Sequence, residues 1–168
     1  MQLRSERSEL SDAEFLQLIE AKSDSFYRVA YGYVRNPEDA KDIVQEAVCK
    51  AYAGKKRLKE RDKFYPWFYR ILANTAVSFL RKHARAVAWD EELLEVPEPQ
   101  EDCWSDRLWV KDSLGRLEAK SRTVIVLKVY ENMTFAEIAQ ILQKPENSVK
   151  SLYYRGLKSL KERMLVHG

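Results

Sequence analysis

Five side chains between residues 67 and 81 point one way. Trp67, Arg70, Asn74, Ser78 and Arg81 fall within about 80° of one another on a helix turned at about 100° per residue. Cations can meet phosphate, an amide can hydrogen-bond a base edge, and an aromatic ring can stack on an unpaired base. Just ahead runs a basic loop, Lys55-Lys56-Arg57-Leu58-Lys59-Glu60-Arg61-Asp62-Lys63. Its Lys56, Arg57 and Lys63 suit the same polyanion. A Trp67 partly in the core beside merely solvated arginines is the plainer alternative, and this ridge alone does not choose between them.

A second set lies near the end of the chain. Lys150, Ser151, Tyr154, Arg155, Lys158 and Lys161 share one helical face, with no acid until Glu162. At the start of such a helix Arg and Lys can read guanine in a major groove, and Ser can meet phosphate. A third set is acidic. Asp42, Gln45, Glu46 and Cys49 lie opposite an apolar face of Ala40, Ile43, Val44, Ala47, Val48 and Ala51. An ordinary solvent face would have this composition, and so would a docking patch for a basic or polar partner.

Catalytic chemistry finds no comparable support. The chain has no Gly-rich phosphate loop, nucleophile elbow or metal-ligand cluster. Cys49 and Cys103 match no metal or redox spacing, and His83 and His167 are the only histidines. No enzyme activity, metal, cofactor or small-molecule substrate is expected, and a reducing compartment is the default. The first residues begin no apolar run, and no apolar stretch is long enough to span a bilayer. The chain is therefore expected to be soluble and cytoplasmic.

These sets must be held by helices. Apolar residues recur at three- and four-residue spacing nearly throughout, strand-like alternation is almost absent, and 5 Gly with 5 Pro leave little turn chemistry. The fold class is all-α. Ser11-Asp12-Ala13-Glu14 forms a capping box ahead of Phe15, Leu16, Leu18 and Ile19. A second helix covers Phe26 to Val34 and stops before Asn36-Pro37. A third runs from Glu38 to Tyr52, and Pro66 opens a long one reaching Lys82, with Phe68, Leu72, Ala76, Phe79 and Leu80 inward. Further on, helices are expected over 104–117 and 120–130. Thr134-Phe135-Ala136-Glu137 then caps a short helix to Leu142, Gln143-Lys144-Pro145 breaks it, and a last helix runs from about Asn147 to Val166. Helix, short turn and longer helix make a helix-turn-helix.

Charge divides the chain. Residues 1–83 carry 16 Lys and Arg against 12 Asp and Glu, residues 84–104 carry 1 against 7, and residues 105–168 carry 12 against 7. The acidic middle holds Pro97 and Pro99 and reads as an extended linker. It suits either a solvated spacer or an acidic strand lying in a channel built for nucleic acid. Two small helical domains are thus expected, over 1–86 and 104–168, joined by an acidic linker over 87–103. The second would be a four-helix helix-turn-helix domain without a wing.

Three motifs, in register, resemble one family. Asp39-Ala40-x-Asp42-Ile43-Val44-Gln45-Glu46, followed by Ala51-Tyr52, is similar to the core-polymerase-binding segment of region 2 in extracytoplasmic-function sigma factors. Pro66-Trp67-Phe68-Tyr69-Arg70-Ile71-x-x-Asn74-x-Ala76, ending Phe79-Leu80-Arg81-Lys82, resembles their helix that opens and reads the minus-ten element. Arg122-Thr123-Val124, Thr134-Phe135-x-Glu137-Ile138-Ala139 and Val149-Lys150-Ser151-x-x-Tyr154-Arg155 resemble the region 4 helix-turn-helix.

The resemblance implies a non-catalytic subunit of bacterial RNA polymerase, directing initiation in a stress or envelope response. Asp39, Asp42, Gln45 and Glu46 would bind core polymerase. Lys56, Arg57, Lys63, Trp67, Arg70, Asn74, Ser78 and Arg81 would engage the separated minus-ten strand, Asn74 helping to hold a base out of the stack. Ser148, Lys150, Ser151, Tyr154, Arg155 and Lys158 would face the minus-thirty-five duplex. The linker would lie in the polymerase's template and RNA channel, and an anti-sigma factor, membrane-anchored by family habit, would hold the protein inactive. The chain departs from the family in Leu152, usually basic, in Gly156, usually alanine, and in Leu117-Glu118, usually Leu-Pro. A free-standing helix-turn-helix repressor or activator would account for 104–168 but leaves 12–83 and the acidic linker unexplained. An RNA-binding protein would fit the basic loop and Trp67 but not the helix-turn-helix.

Overall fold

The computed structural model describes residues 9–89 and 119–167, and all regular structure among them is helical. The helices start where side chains can satisfy the first free N–H groups. Helix α1 (Asp12–Ala21) is capped by Ser11, whose Oγ accepts from the Glu14 N–H at 3.2 Å. Helix α2 (Ser23–Val34) ends on Arg35, which takes a left-handed conformation at φ 54°. Helix α3 (Pro37–Gly54) begins beside it. Asn36 Oδ1 accepts from the N–H groups of Glu38 and Asp39 at 2.9 and 3.0 Å, and Pro37, with no N–H to satisfy, takes the first position.

Two single 3-10 turns, Lys55–Arg57 and Arg61–Lys63, carry the basic loop into α4 (Phe64–Trp89). This helix is longer than expected at both ends. Pro66 sits in its first turn, where a missing N–H costs nothing. Beyond Lys82 the chain offers Ala84, Ala86 and Ala88 and meets no helix breaker until Pro97, so α4 continues into residues 87–89, which the charge pattern placed in the linker.

Helices α5 (Ala119–Tyr130), α6 (Phe135–Leu142) and α7 (Glu146–His167) follow. The capping box at α6 closes as expected: the Glu137 N–H donates to Thr134 Oγ1 at 3.1 Å. Gln143 is left-handed at φ 54° and ends α6. The helix expected over 104–117 and the acidic stretch over 90–103, with Cys103, lie outside the described residues.

Buried side chains from both halves join into one continuous core. Phe15, Phe26, Phe64, Phe68 and Leu72 fill the first half, and Val124, Val126, Leu127, Ile138 and Val149 extend the core into the second. Phe26 and Phe68 anchor the first part, with ring centroids 4.3 Å apart. Helix α5 is buried nearly all round from Ser121 to Leu127, because α7 packs on one side of it and α2 on another.

Candidate nucleic-acid interface

Packing of α4 on α3 sets the ridge. Phe68, Leu72 and Ala76 are fully buried, while Phe79 and Leu80 are only half-buried. Turning the apolar stripe inward leaves Asn74 and Arg81 exposed, with Trp67, Arg70 and Ser78 half-buried. Trp67 stands between two clefts. One, of about 480 Å³, brings Arg57 and Lys63 of the basic loop to Pro66, Trp67 and Arg70, and is closed on its far side by Gln140 and Gln143. The other, of about 320 Å³, gathers Arg57, Asn74 and Ser78 with Lys50, Gly54 and Thr75. Ridge and loop thus converge around one indole. Exposed Lys56 and Arg81 line neither cleft.

Lys50 and Thr75 are residues that sequence reasoning passed over. The Lys50 ammonium donates to Thr75 Oγ1 at 3.4 Å and pairs with Glu46 at 3.2 Å. Thr75 is buried and donates to the Ile71 carbonyl at 2.7 Å, which leaves its oxygen free to accept. Lys50 places a cation beside Asn74 from a second helix. The available signal was its position one turn before Gly54, where α3 must turn toward α4.

Arg70 has partners across the chain. Its Nε donates to the Ile141 carbonyl at 2.6 Å, and an Nη donates to the Gln140 carbonyl at 3.3 Å. These are last-turn carbonyls of α6, which carry the negative end of its dipole and lack helical partners. Burial holds the guanidinium below its ordinary pKa of 12.5, which still leaves it charged at neutral pH.

The acidic set sits on the open side of α3. Asp42, Gln45, Glu46 and Cys49 are exposed and Asp39 is half-buried. Glu46, paired with Lys50, links this patch to the second cleft.

On α7, Val149, Leu152 and Gly156 face inward. Lys150, Ser151, Tyr154, Arg155 and Lys158 are exposed, Tyr154 to 61%. Phe135, from the start of α6, braces this face: its ring lies 6.4 Å from that of Tyr154 and 5.4 Å from that of Tyr153. Lys150 reaches back to Glu146 at 3.8 Å, and Ser151 donates to the Asn147 carbonyl at 3.0 Å. Ser148 is half-buried, the least accessible of this set. The face as a whole is cationic, exposed and rigidly mounted.

Comparison with known proteins gives the same division. Residues 18–86 match the family model for sigma-70 region 2, and residues 107–160 match that for sigma-70 region 4. RNA polymerase sigma factor SigV of Bacillus subtilis is 33% identical over 156 residues, spanning 92% of this chain and 93% of that one. ECF RNA polymerase sigma factor SigW of the same organism is 29% identical over 165 residues, with 89% and 88% covered. Among solved structures, the sigma factor RpoE of Bartonella quintana, in complex with the anti-sigma factor NepR, aligns with a TM-score of 0.63 at 22% identity, over 91% of this chain and 98% of that one. CnrH, in complex with the cytosolic domain of CnrY, aligns with a TM-score of 0.67 at 21% identity over 98% and 96%. These two likenesses establish the shared helical fold. With both regions matched in order and a full-length relative at this identity, the chain belongs to the sigma-70 family of RNA polymerase sigma factors, among its extracytoplasmic-function members.

Proposed function

We propose that this sigma factor binds core RNA polymerase through Asp39, Asp42, Gln45 and Glu46 and opens promoters with the ridge on α4. The carrying observation is the convergence of Arg57, Trp67, Asn74 and Ser78 on one cleft. A base lifted from the minus-ten strand fits there: the Asn74 amide can pair with its edge, the indole can stack on its face, and Lys50 can hold its phosphate. Lys56, Lys63, Arg70 and Arg81 extend the cationic track along the strand. Strand separation then draws on binding free energy, with no nucleotide hydrolysis and no enzymatic step by this chain. Lys150, Ser151, Tyr154, Arg155 and Lys158 face the minus-thirty-five duplex, with Ser148 at the edge of the contact.

In this reading residues 1–86 and 104–168 work as separate domains during initiation, and the acidic stretch over 87–103 runs between them through the polymerase. The protein acts in the cytoplasm, and among its described residues no helix is long and apolar enough to cross a membrane. An anti-sigma factor, membrane-anchored and released in a stress or envelope response, restrains it.

The test is transcription from a pool of upstream genomic fragments by core polymerase, with and without the protein, followed by mapping of transcript starts. Discrete starts that depend on the protein and share two spaced upstream elements are expected. Tight binding of duplex DNA by the protein alone, with no core binding and no specific starts, would sink the reading.

A further inference from the structure

The contact between the two halves is built from specific pairs. Arg28 grips Glu131 through two hydrogen bonds, at 3.1 and 3.2 Å, and the Glu131 side chain is only 16% exposed. The Tyr33 hydroxyl donates to Thr123 Oγ1 at 2.7 Å, both groups buried. Arg35 donates to the Tyr130 hydroxyl. Helix α2 approaches α5 at Gly32, where a β-carbon would come within 2.9 Å of Tyr130 Cδ2 and 3.0 Å of Val126 Cγ1. On the other side of the junction Arg70 closes the end of α6.

We propose that the free chain closes on itself through this junction, and that closure withholds Arg70 and Trp67 from the minus-ten strand until polymerase separates the halves. The proposal rests on reading those two residues as minus-ten contacts. A guanidinium bonded to the Gln140 and Ile141 carbonyls cannot also hold a phosphate in the same geometry. The cleft beside Trp67 is walled by Gln140 and Gln143 in the closed form, where a DNA strand would have to pass. Asp42, Gln45 and Glu46 stay exposed, and so do Lys150, Tyr154 and Arg155. Polymerase can therefore dock first, and the ridge is freed afterwards. The junction is rich in polar pairs, the composition of an interface that separates rather than of a permanent core. A closed form that must open lowers apparent affinity for polymerase by the fraction of open chain.

Two variants outside the binding machinery test this. Glu131→Arg sets a cation against Arg28. Gly32→Ala adds helix propensity within α2 while wedging α2 from α5, and so guards against a variant that merely unfolds. Spin labels on Glu20→Cys and Glu162→Cys, in a Cys49→Ser, Cys103→Ser background, report the distance between the halves.

The unaltered junction should give one narrow distribution when free and a longer one with core polymerase. Both variants should broaden the free distribution and lower the protein concentration for half-maximal transcription about fivefold. A broad distribution in the free parent protein, or one that neither variant changes, would overturn closure. Normal initiation in that case would leave the sigma reading intact. Closure and opening as described, with no protein-dependent initiation, would support the junction and overturn the reading of the ridge.

Discussion

A β-carbon on Gly156 would stand 2.6 Å from Cδ1 of Ile125 and 3.4 Å from Cβ of Ser121. Helix α7 crosses α5 at that point, and the Ile125 terminal methyl fills the space that a side chain would need. A mid-helix glycine, unfavourable by about 1 kcal/mol relative to alanine, is explained by this close approach. Gly156→Ala should destabilise the protein by about 1 kcal/mol, because overpacking outweighs the gain in helix propensity. Ile125→Val removes the obstructing methyl. In the double variant most of the Gly156→Ala cost should vanish, giving a coupling of about 1–2 kcal/mol in urea unfolding. Strictly additive effects would mean that α7 simply shifts away from α5.

Asn74 is exposed, so its amide can be removed without disturbing the core. Asn74→Ala should reduce open-complex formation about tenfold, the worth of a hydrogen bond or two to a base, and leave core binding nearly unchanged. Permanganate reactivity of unpaired thymines measures the first, and co-elution with core polymerase the second. Equal loss of both would show that Asn74 has been misplaced. Lys50→Ala should resemble Asn74→Ala with a weaker effect that fades at high salt, since its contribution is to phosphate.

Most helix boundaries could be read from the chain because their causes are local. Ser11, Asn36 and Thr134 cap the helices they precede, and proline or a left-handed residue closes others. The ridge and the basic face of α7 followed from helical periodicity, and the inward turn of Phe68 and Val149 bears that out. The junction of the two halves was not legible, because its partners are 71 to 103 residues apart. One signal was present. Val124-Ile125-Val126-Leu127 is apolar on every side, and a helix of that kind must be covered on more than one face. The second covering surface proved to be α2. Arg70 shows the same limit: its type and its position on the ridge were readable, but its bond to the end of α6 depends on how the halves meet.

The acidic patch on α3 gives a prediction of opposite sign for DNA and for polymerase. Asp42 is exposed and pairs with nothing shown across the described surface, so Asp42→Lys should fold normally. Core binding should weaken about tenfold at low salt and by less at high salt, as a charged docking contact requires. Binding of the isolated protein to single-stranded DNA should hold or rise slightly with the added cation. An unchanged core affinity in a competition assay would remove α3 from the polymerase interface.

Tyr69 supplies a pH dependence that can be assigned to one pair. Its hydroxyl is hydrogen-bonded to Ser25 Oγ, both side chains are buried, and burial pushes the phenol up to about 12. In the unfolded chain the same phenol ionises near its ordinary 10.0. Below pH 10 both states keep the proton, so the pair contributes fully and without slope. Between pH 10 and 12 the unfolded chain binds fewer protons than the folded one, and stability falls as pH rises. Tyr69→Phe leaves Ser25 without this partner and should cost about 1–2 kcal/mol at pH 8. It also deletes the titrating group. The stability gap between parent and variant should therefore narrow by about 1 kcal/mol from pH 8 to pH 11 in paired urea titrations. Buried Tyr33 is pushed up for the same reason, by burial, and keeps a residual alkaline slope in both proteins. A gap that stays constant to pH 11 would mean that the Tyr69 phenol ionises in the folded protein as readily as it does in water.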